Sequence, residues 1–324
     1  MPQGPLRKAI VAEAGIDDDD ELGLLTWLGE DLPGAVRVVH ESNAPVYRRS
    51  AGRPDFDSRP STLRVSLAGM QWKVGLSRTA RGLTLPVRGE SAEWMAKFQG
   101  REFPRLVQVE YATMRWAAAC GLSVPDVELV DARSIQGLPA SIPTGDGSAL
   151  LIRRFDRTGT ERTHQEDFAQ VLDRPDQFGG SFEEMAAFVA SESPTDVAEF
   201  IGRVAFMLGS GNADAHLKNW SVVYPDGRRG RLSPAYDQIA TVVYPELPRV
   251  VALKLHSRGD FPFASIVADD FAPMAHALSL SLDDLVERLT AALRSVRTAF
   301  GAVESDLSEE ERARIQAHLS SLKI

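Results

Sequence analysis

Asp214, Asn219 and Asp237 are spaced so that only a particular fold brings them together. Asp214 and Asn219 share one loop, directly after an apolar segment with the periodicity of a buried helix. Residues 220–233 contain a Pro-Asp-Gly turn between two apolar runs, which predicts a β-hairpin. Because a hairpin returns the chain to its starting point, we expect Asp237 to lie beside Asn219. Carboxylate and amide oxygens are the ligands that Mg²⁺ prefers, so the sequence predicts a site for this ion.

The composition indicates a soluble protein large enough for two domains. The chain has 324 residues, of which 44% are hydrophobic and 25% charged. Its net charge of −9 argues against a dominant nucleic-acid-binding surface. No apolar run approaches the roughly 18–20 residues that cross a bilayer, and the N-terminus lacks the apolar core of a secretory signal. With Cys120 as its one cysteine, the chain fits a reducing compartment, and we expect a cytoplasmic protein without membrane contact.

Local patterns predict a strand-rich first half and a helical second half. In chain order, the predictions are irregular chain over 1–20, a short helix over 24–28, a polar loop over 42–60, strands near 72–76 and 94–98, a helix over 103–120, a strand over 149–152, a helix ending at Gly209, and helices starting near Ser281 and Ser308. This order predicts an α+β protein with two lobes and a cleft between them. We place the N-terminal lobe at residues 1–152 and the catalytic C-terminal lobe at 153–324.

The spacing of the three polar residues is typical of protein kinases. A kinase needs a group that orients the acceptor hydroxyl, oxygen ligands for Mg²⁺ and donors for the phosphates of ATP. Asp214 is the candidate base, and Asn219 and Asp237 are the candidate metal ligands. His216 stands where many kinases carry a lysine that contacts the transferred phosphoryl group.

Two plainer interpretations of this segment remain. Asn and Asp are common in turns, so one interpretation is that the motif residues only shape a loop. Asp214 and His216 are also possible zinc ligands, although the sequence offers no convincing third and fourth ligands.

The candidate phosphate contacts lie in the first half. Lys97, on a predicted strand, is a candidate partner for Glu110 on the following helix, in the manner of the kinase lysine–glutamate pair. A glycine-rich phosphate loop is replaced by Ser66-Leu67-Ala68-Gly69-Met70-Gln71-Trp72-Lys73, in which small residues still let backbone N–H groups approach a phosphate. Taken alone, a strand lysine is usually solvated and this segment would pass for a turn.

Together these residues resemble the HipA family of bacterial toxin kinases. The resemblance covers roughly residues 20–300 and rests on four blocks in the order of the family. The blocks are residues 66–73, Arg154-Phe155-Asp156-Arg157 with His164-Gln165-Glu166-Asp167-Phe168-Ala169-Gln170, Asn212-Ala213-Asp214-Ala215-His216-Leu217-Lys218-Asn219, and Leu232-Ser233-Pro234-Ala235-Tyr236-Asp237.

The resemblance implies a serine/threonine kinase that uses ATP and Mg²⁺. It implies Asp214 as the base, and Asn219 and Asp237 as the metal ligands. The nucleotide-binding set that it implies consists of Lys97, Ala68, Gly69, Gln71, Lys73, Arg153, Phe155, Gln170 and His216, with Arg153–Phe155 as the hinge beside adenine. It also implies autophosphorylation of Ser66 as an off-switch, since a phosphate adds roughly −1.5 to −2 charges beside a site built for ATP.

The resemblance also implies partners. Family targets are aminoacyl-tRNA synthetases, and the family kinase pairs with a HipB-like antitoxin through which it meets DNA indirectly. Residues 27–35 resemble only the closing part of the N-terminal subdomain of the family, so the remainder is expected on a separate HipS-like protein, as in the split HipBST arrangement, or the chain is a fragment. Arg153 departs from the family, which often has an acidic residue there.

Two other functions fit the same motifs. The side chains of Asp214, Asn219 and Asp237 could act on any hydroxyl acceptor, so a small-molecule kinase is one alternative. A non-catalytic pseudokinase that binds partners within a repressor complex is the other, although such a module has no need of both metal ligands.

Overall fold

The computed structural model describes residues 4–38, 71–86, 91–100, 103–140, 142–256, 259 and 261–324. The polar loop predicted over 42–60 lies outside these residues. Contacts group the chain into two compact units, Met1–Val107 with Glu128–His164, and Gln108–Val127 with Gln165–Ile324. The lobe boundary at residue 152 stays a prediction. No helix in the described ranges is long and apolar enough to cross a membrane.

Nine α-helices and eleven strands are formed by the described residues. The helices are α1 Gly4–Ala14, α2 Glu21–Leu28, α3 Leu106–Ala119, α4 Phe168–Val171, α5 Phe182–Glu192, α6 Val197–Ser210, α7 Ala272–Ala277, α8 Leu282–Ala299 and α9 Glu309–Ser321. The strands are β1 Lys73–Thr79, β2 Gly82–Thr84, β3 Trp94–Phe98, β4 Val127–Asp131, β5 Ile135–Gln136, β6 Ser148–Arg153, β7 Arg157–Thr158, β8 Glu161–Arg162, β9 His164–Asp167, β10 Ser221–Tyr224 and β11 Arg231–Leu232.

The first unit is built on a six-stranded sheet with the order β4-β6-β3-β1-β2-β5. The central strand β3 pairs antiparallel with both β1 and β6. Alternating apolar side chains on β1 and β3, such as Val74 and Ala96, are buried against this unit's core. The three strands predicted in this half, near 72–76, 94–98 and 149–152, are therefore confirmed.

The prediction of irregular chain over residues 1–20 is wrong, because α1 occupies most of that stretch. Leu6, Ile10 and Ala14 recur every fourth residue, lie on one helix face and are buried in the first unit's core. The helix predicted over 24–28 is confirmed but begins earlier, at Glu21. Asp20 caps it, since its carboxylate accepts a hydrogen bond from the Gly23 N–H at 2.8 Å.

The second unit is helical around α6. Phe200, Val204 and Leu208 on this helix are almost fully buried, as its apolar spacing predicts. The helix ends one residue beyond the predicted Gly209, at Ser210, and closes at Gly211 in the left-handed conformation, with φ of 65°. Gly209 instead allows close packing, since a Cβ there would lie 2.6 Å from Val296 Cγ1 on α8.

The remaining predicted elements of this unit are confirmed. Ser281 and Ser308 cap α8 and α9 through their hydroxyl groups. The predicted hairpin is formed by β10 and β11, which pair antiparallel with Val222 opposite Leu232. The Ser233 N–H then donates to the Ser221 carbonyl at 2.9 Å, which keeps the two chains together at the open end of the hairpin.

Candidate functional site

The loop that carries Asp214 is fixed at its start by Thr241. The Thr241 hydroxyl donates to the Gly211 carbonyl at 2.7 Å and accepts from the Ala213 N–H at 2.8 Å. One side chain therefore satisfies two backbone groups at the end of α6, where helix termini otherwise leave such groups unpaired. The loop leaves the helix along a defined path.

Asn212 sets the position of the next residues. Its side chain is completely buried, and its Oδ1 accepts a hydrogen bond from the Asp214 N–H at 3.0 Å, the local turn that Asn side chains favour. The Asp214 side chain is 59% exposed. A carboxylate that is accessible while its backbone is held is suited to receive a proton from an incoming hydroxyl group.

Asn219 is oriented by the same loop. Its Nδ2 donates to the Asp214 carbonyl at 2.7 Å. Since the amide nitrogen is used in this way, Oδ1 is the atom left to bind a cation, and oxygen is the donor that Mg²⁺ takes. The residue that the sequence assigns to the metal therefore presents the right atom for it.

The hairpin returns the chain to this loop, as the sequence predicts. The Tyr236 hydroxyl donates to the Lys218 carbonyl at 2.9 Å and is also hydrogen bonded to Ser221 Oγ. These bonds attach the residue before Asp237 to the residue before Asn219. Asp237 has a φ of 52°, a left-handed conformation that is uncommon outside glycine and is often found at functional sites.

His216 lies beside Asp214 and also feels the charge of Asp237. Its Nε2 is 3.7 Å from Asp214 Oδ1, and its ring meets the edge of Phe178 with centroids 5.2 Å apart. Burial lowers the pKa of His216 below its usual value, although the charges of Asp214 and Asp237 act in the opposite direction. Burial therefore favours the neutral imidazole of His216, unlike the charged lysine that many kinases place there.

Gln170 has a structural role in addition to the one that the sequence assigns. It lies on α4 in a capping box with Asp167, whose carboxylate accepts from the Gln170 N–H at 2.9 Å while Gln170 Oε1 accepts from the Asp167 N–H at 3.0 Å. Its predicted contact with the nucleotide stays a prediction.

In the first unit, two buried lysines face each other. Lys73 on β1 stands directly opposite Lys97 on β3, and these residues are only 7% and 2% exposed. Both ammonium groups are hydrogen-bond donors with a positive charge, the kind of group that binds a phosphate. Gln71 next to them has a buried Nε2 with no hydrogen-bond partner in the described structure, a further donor for such a group.

The other predicted residues of the first unit lie at or just after the end of β6, on α3, or outside the described residues. Arg153 ends β6 and is exposed, and Phe155 is half-buried. Ser66, Ala68 and Gly69 lie outside the described residues. Glu110 is buried on α3, and its predicted pairing with Lys97, like the roles of Arg153 and Phe155, stays a prediction.

Sequence patterns missed a buried ion network beside the predicted hinge. Arg154 and Arg157 both bind Asp156 and Asp31, with N···O distances of 2.8–3.0 Å and side chains at most 7% exposed. Asp156 also accepts from the Gly34 N–H at 2.7 Å. The network fastens the segment after α2 to the end of β6. Asp31 lies 123 positions before Arg154 in the sequence, so no local pattern reveals their pairing.

The sequence of the chain is similar to that of known proteins. The family model described as the HipA-like C-terminal domain matches residues 65–300, and that of the HipA N-terminal domain matches residues 1–39. A curated relative from Sinorhizobium fredii, named "Putative kinase Y4dM", is 36% identical over 95% of this chain and 76% of its own length. The serine/threonine-protein kinase toxin HipA of Shewanella oneidensis is 27% identical over 98% of this chain and 79% of its own length.

A solved structure has the same fold. In a complex of HipA, HipB and operator DNA from Shewanella oneidensis, the matching chain superposes with a TM-score of 0.74 at 21% identity. The match covers 99% of the chain described here and 81% of the solved chain.

Proposed function

This chain belongs to the HipA family, and we propose that it is an ATP- and Mg²⁺-dependent serine/threonine protein kinase. The family and the two-lobed kinase-like α+β fold that the sequence predicts are confirmed by the family models and by the solved HipA structure. Relatives named as kinases support kinase activity in general. What we propose beyond this is that the nucleotide is ATP, the metal is Mg²⁺ and the acceptor is a serine or threonine.

The observation that carries the proposal is the attachment of the Asp237 segment to the Asp214 loop through Tyr236 and Lys218. In the proposed mechanism, the Asp214 carboxylate orients the acceptor hydroxyl and receives its proton. Asn219 Oδ1 and the Asp237 carboxylate would hold Mg²⁺, which supplies neutralisation of the charge on the ATP phosphates. Lys73, Lys97 and Gln71 would bind those phosphates.

The base assignment is tested with Asp214→Asn, which keeps the size of the side chain and removes its basicity. Incubated with labelled ATP and Mg²⁺, this variant should transfer phosphate to protein at least about a hundredfold more slowly than wild type. Asp226→Asn is the matched control, because Asp226 is an exposed residue of the hairpin turn that only accepts bonds from the Arg228 and Arg229 N–H groups. Equal rates for wild type and Asp214→Asn would show that the base is another group.

We further propose that Ser66 is autophosphorylated and that the external target is an aminoacyl-tRNA synthetase. The family resemblance of residues 66–73 supports the autophosphorylation of Ser66. The relative named as a toxin supports growth inhibition as the consequence of phosphorylating the external target. Mass spectrometry after incubation with ATP should find phosphate on Ser66, and Ser66→Ala should stay active for longer. A synthetase panel incubated with the kinase then identifies the target by loss of tRNA charging.

The proposed partners are a HipB-like antitoxin and a separate HipS-like protein. The solved structural relative is in complex with HipB and operator DNA, which supports the first partner. Co-expression with a HipB-like protein should give a complex that co-elutes and shifts operator DNA, whereas the kinase alone should not shift it. A chain that never co-elutes with such a protein would contradict this partner.

A further inference from the structure

Phe178 is a large apolar side chain left 46% exposed beside the proposed catalytic loop. Its ring packs edge-on against His216, whose Nε2 is 3.7 Å from the Asp214 carboxylate. One imidazole therefore separates an exposed phenyl ring from the proposed base. All of these residues belong to the second unit.

The loop that carries Phe178 is anchored on both sides. Before it, the Gln177 carbonyl accepts from the Leu217 N–H at 3.0 Å, which ties the loop to the catalytic segment. After it, Gly180 lies so close that an added Cβ would be 2.8 Å from the Leu217 side chain, and its carbonyl accepts from the Lys254 N–H at 3.1 Å. The ring is thus presented from a fixed backbone.

Catalysis places the substrate next to this ring. The acceptor hydroxyl has to come within hydrogen-bond reach of Asp214, and an extended peptide advances about 3.3 Å per residue. A peptide that runs from Asp214 towards Phe178 would therefore bring a side chain within about three positions of the acceptor over the ring. An apolar substrate side chain there would bury its own surface and that of the Phe178 ring. This burial lowers the free energy of binding, which a polar side chain would not do.

We propose that Phe178 is a specificity-determining residue that binds an apolar side chain of the protein substrate within three positions of the phosphorylated serine or threonine. The inference rests on the proposed kinase function and adds a substrate class to it. It favours a polypeptide acceptor with a leucine-, isoleucine-, methionine- or phenylalanine-like neighbour over a small polar metabolite.

The test uses a positional-scanning library of peptides, each with one fixed serine, and the full-length kinase with Mg·ATP. Wild type should select large apolar residues at one position within three of the serine. Phe178→Ala should lose that selection and raise KM for the preferred peptide about tenfold, with kcat and the KM for ATP unchanged. Phe178→Tyr, which keeps the ring, should behave like wild type.

A charge substitution makes the test sharper. Phe178→Lys should change the selection at the same position from apolar to acidic residues, which loss of loop structure would not do. Val267→Ala serves as a control, because Val267 is another exposed apolar residue of the second unit, 44% exposed, and its removal should leave the selection unchanged.

The outcomes separate this inference from the kinase proposal. Peptide phosphorylation with the same selection in wild type, Phe178→Ala and Phe178→Lys would overturn the role of Phe178 and leave the kinase function standing. A kinase that phosphorylates itself but no peptide of the library would also overturn it. A wild-type chain that transfers phosphate to nothing would overturn the proposed function instead.

Discussion

The Tyr236 hydroxyl donates a hydrogen bond of 2.9 Å to the carbonyl oxygen of Lys218. The two residues lie 18 positions apart in the chain, at the two ends of the segment that contains the β10–β11 hairpin. Each directly precedes a proposed metal ligand, Asp237 and Asn219. A single half-buried phenol therefore links the two backbone segments that carry these ligands.

Tyr236→Phe should weaken the binding of Mg·ATP more than it weakens the fold. Removing the hydroxyl leaves the Lys218 carbonyl without this donor, at a cost of about 1–3 kcal/mol in the free energy of unfolding. The concentration of Mg²⁺ needed for half-maximal activity should also rise. Urea denaturation and a Mg²⁺ titration of activity measure the two effects.

Tyr224→Phe is the matched control for this prediction. The Tyr224 hydroxyl, on hairpin strand β10, donates to Glu166 Oε2 on β9 at 2.6 Å. Tyr224→Phe should lower the free energy of unfolding and leave the Mg²⁺ concentration needed for half-maximal activity as in wild type. An equal effect of both variants on the Mg²⁺ requirement would contradict the role given to Tyr236.

The parts of the site that follow from local patterns were predictable. The apolar spacing of α6, the turn signal of the hairpin and the polar residues on either side of it indicated that Asp214, Asn219 and Asp237 share one region. The bonds that hold them there depend on three-dimensional contacts. The roles of the Tyr236 phenol and the Thr241 hydroxyl cannot be read from one sequence, because nothing local distinguishes these residues from other tyrosines and threonines.

The errors in the prediction of helices have similar causes. Residues 1–20 look irregular because they begin with Pro2 and Pro5 and end in an acidic run. Leu6 and Ile10, four positions apart, nevertheless lie on one face of a helix, which is stabilised because both side chains are buried in the core. Gly209 looks like a helix end, since glycine is the usual cap. The structure uses it for contact with Val296, and this use depends on a helix far along the chain.

Lys97→Met should abolish the stabilisation that Mg·ATP gives to the protein. Ligand binding raises the unfolding free energy by RT ln(1 + [L]/Kd), about 2.7 kcal/mol when the ligand is at a hundred times its Kd. If Lys97 and its cross-strand neighbour Lys73 bind the phosphates, the variant should show almost no rise in Tm with nucleotide. Arg81→Met is the control, because Arg81 is exposed in the turn between β1 and β2 of the same sheet. A full rise in Tm for Lys97→Met would place the phosphates elsewhere.

Gly209→Ala should destabilise the protein although alanine is the better helix former. The propensity gain is about 1 kcal/mol, whereas the added Cβ would lie 2.6 Å from Val296 Cγ1 and overpacking costs roughly 1–3 kcal/mol. Chemical denaturation should show a net loss that Val296→Ala partly restores. Gly301→Ala should be neutral, because no atom lies within 4 Å of a Cβ there. A stabilising Gly209→Ala would contradict the packing of α6 on α8.

Asp196 should give the second unit acid sensitivity at low pH. Burial acts to raise its pKa, but hydrogen bonds from Arg231, Ser193 and the Leu232 N–H outweigh burial and hold the pKa at about 2, below the ordinary value of 3.8. The folded state therefore prefers the charged form, so this stabilisation is present above pH 3.8 and is lost as the pH falls towards 2. Asp196→Asn should cost about 1–2 kcal/mol at pH 7. Urea denaturation should show the difference from wild type shrinking between pH 4 and pH 2, and a constant difference would contradict the assignment.

The protonation of His216 should report directly on Asp214. Burial lowers the pKa of His216, and the negative charge of Asp214 partly offsets this effect. Asp214→Asn removes that charge, so the pKa of His216 should fall further below the usual value of 6.5. The shift is measured from the imidazole C2–H signal in an NMR titration, assigned with His216→Gln.

His318 is the internal control in the same spectra. Burial also lowers its pKa, while its Nε2 is bonded to the Leu208 carbonyl at 2.7 Å. None of the groups that affect its pKa is Asp214, so its titration should be the same in wild type and Asp214→Asn. Because both histidines favour the neutral form when folded, the protein should lose stability as the pH falls below 6.5. A His216 pKa that stays constant or rises in Asp214→Asn would show that the two side chains do not interact, and the site would then need another arrangement around the base.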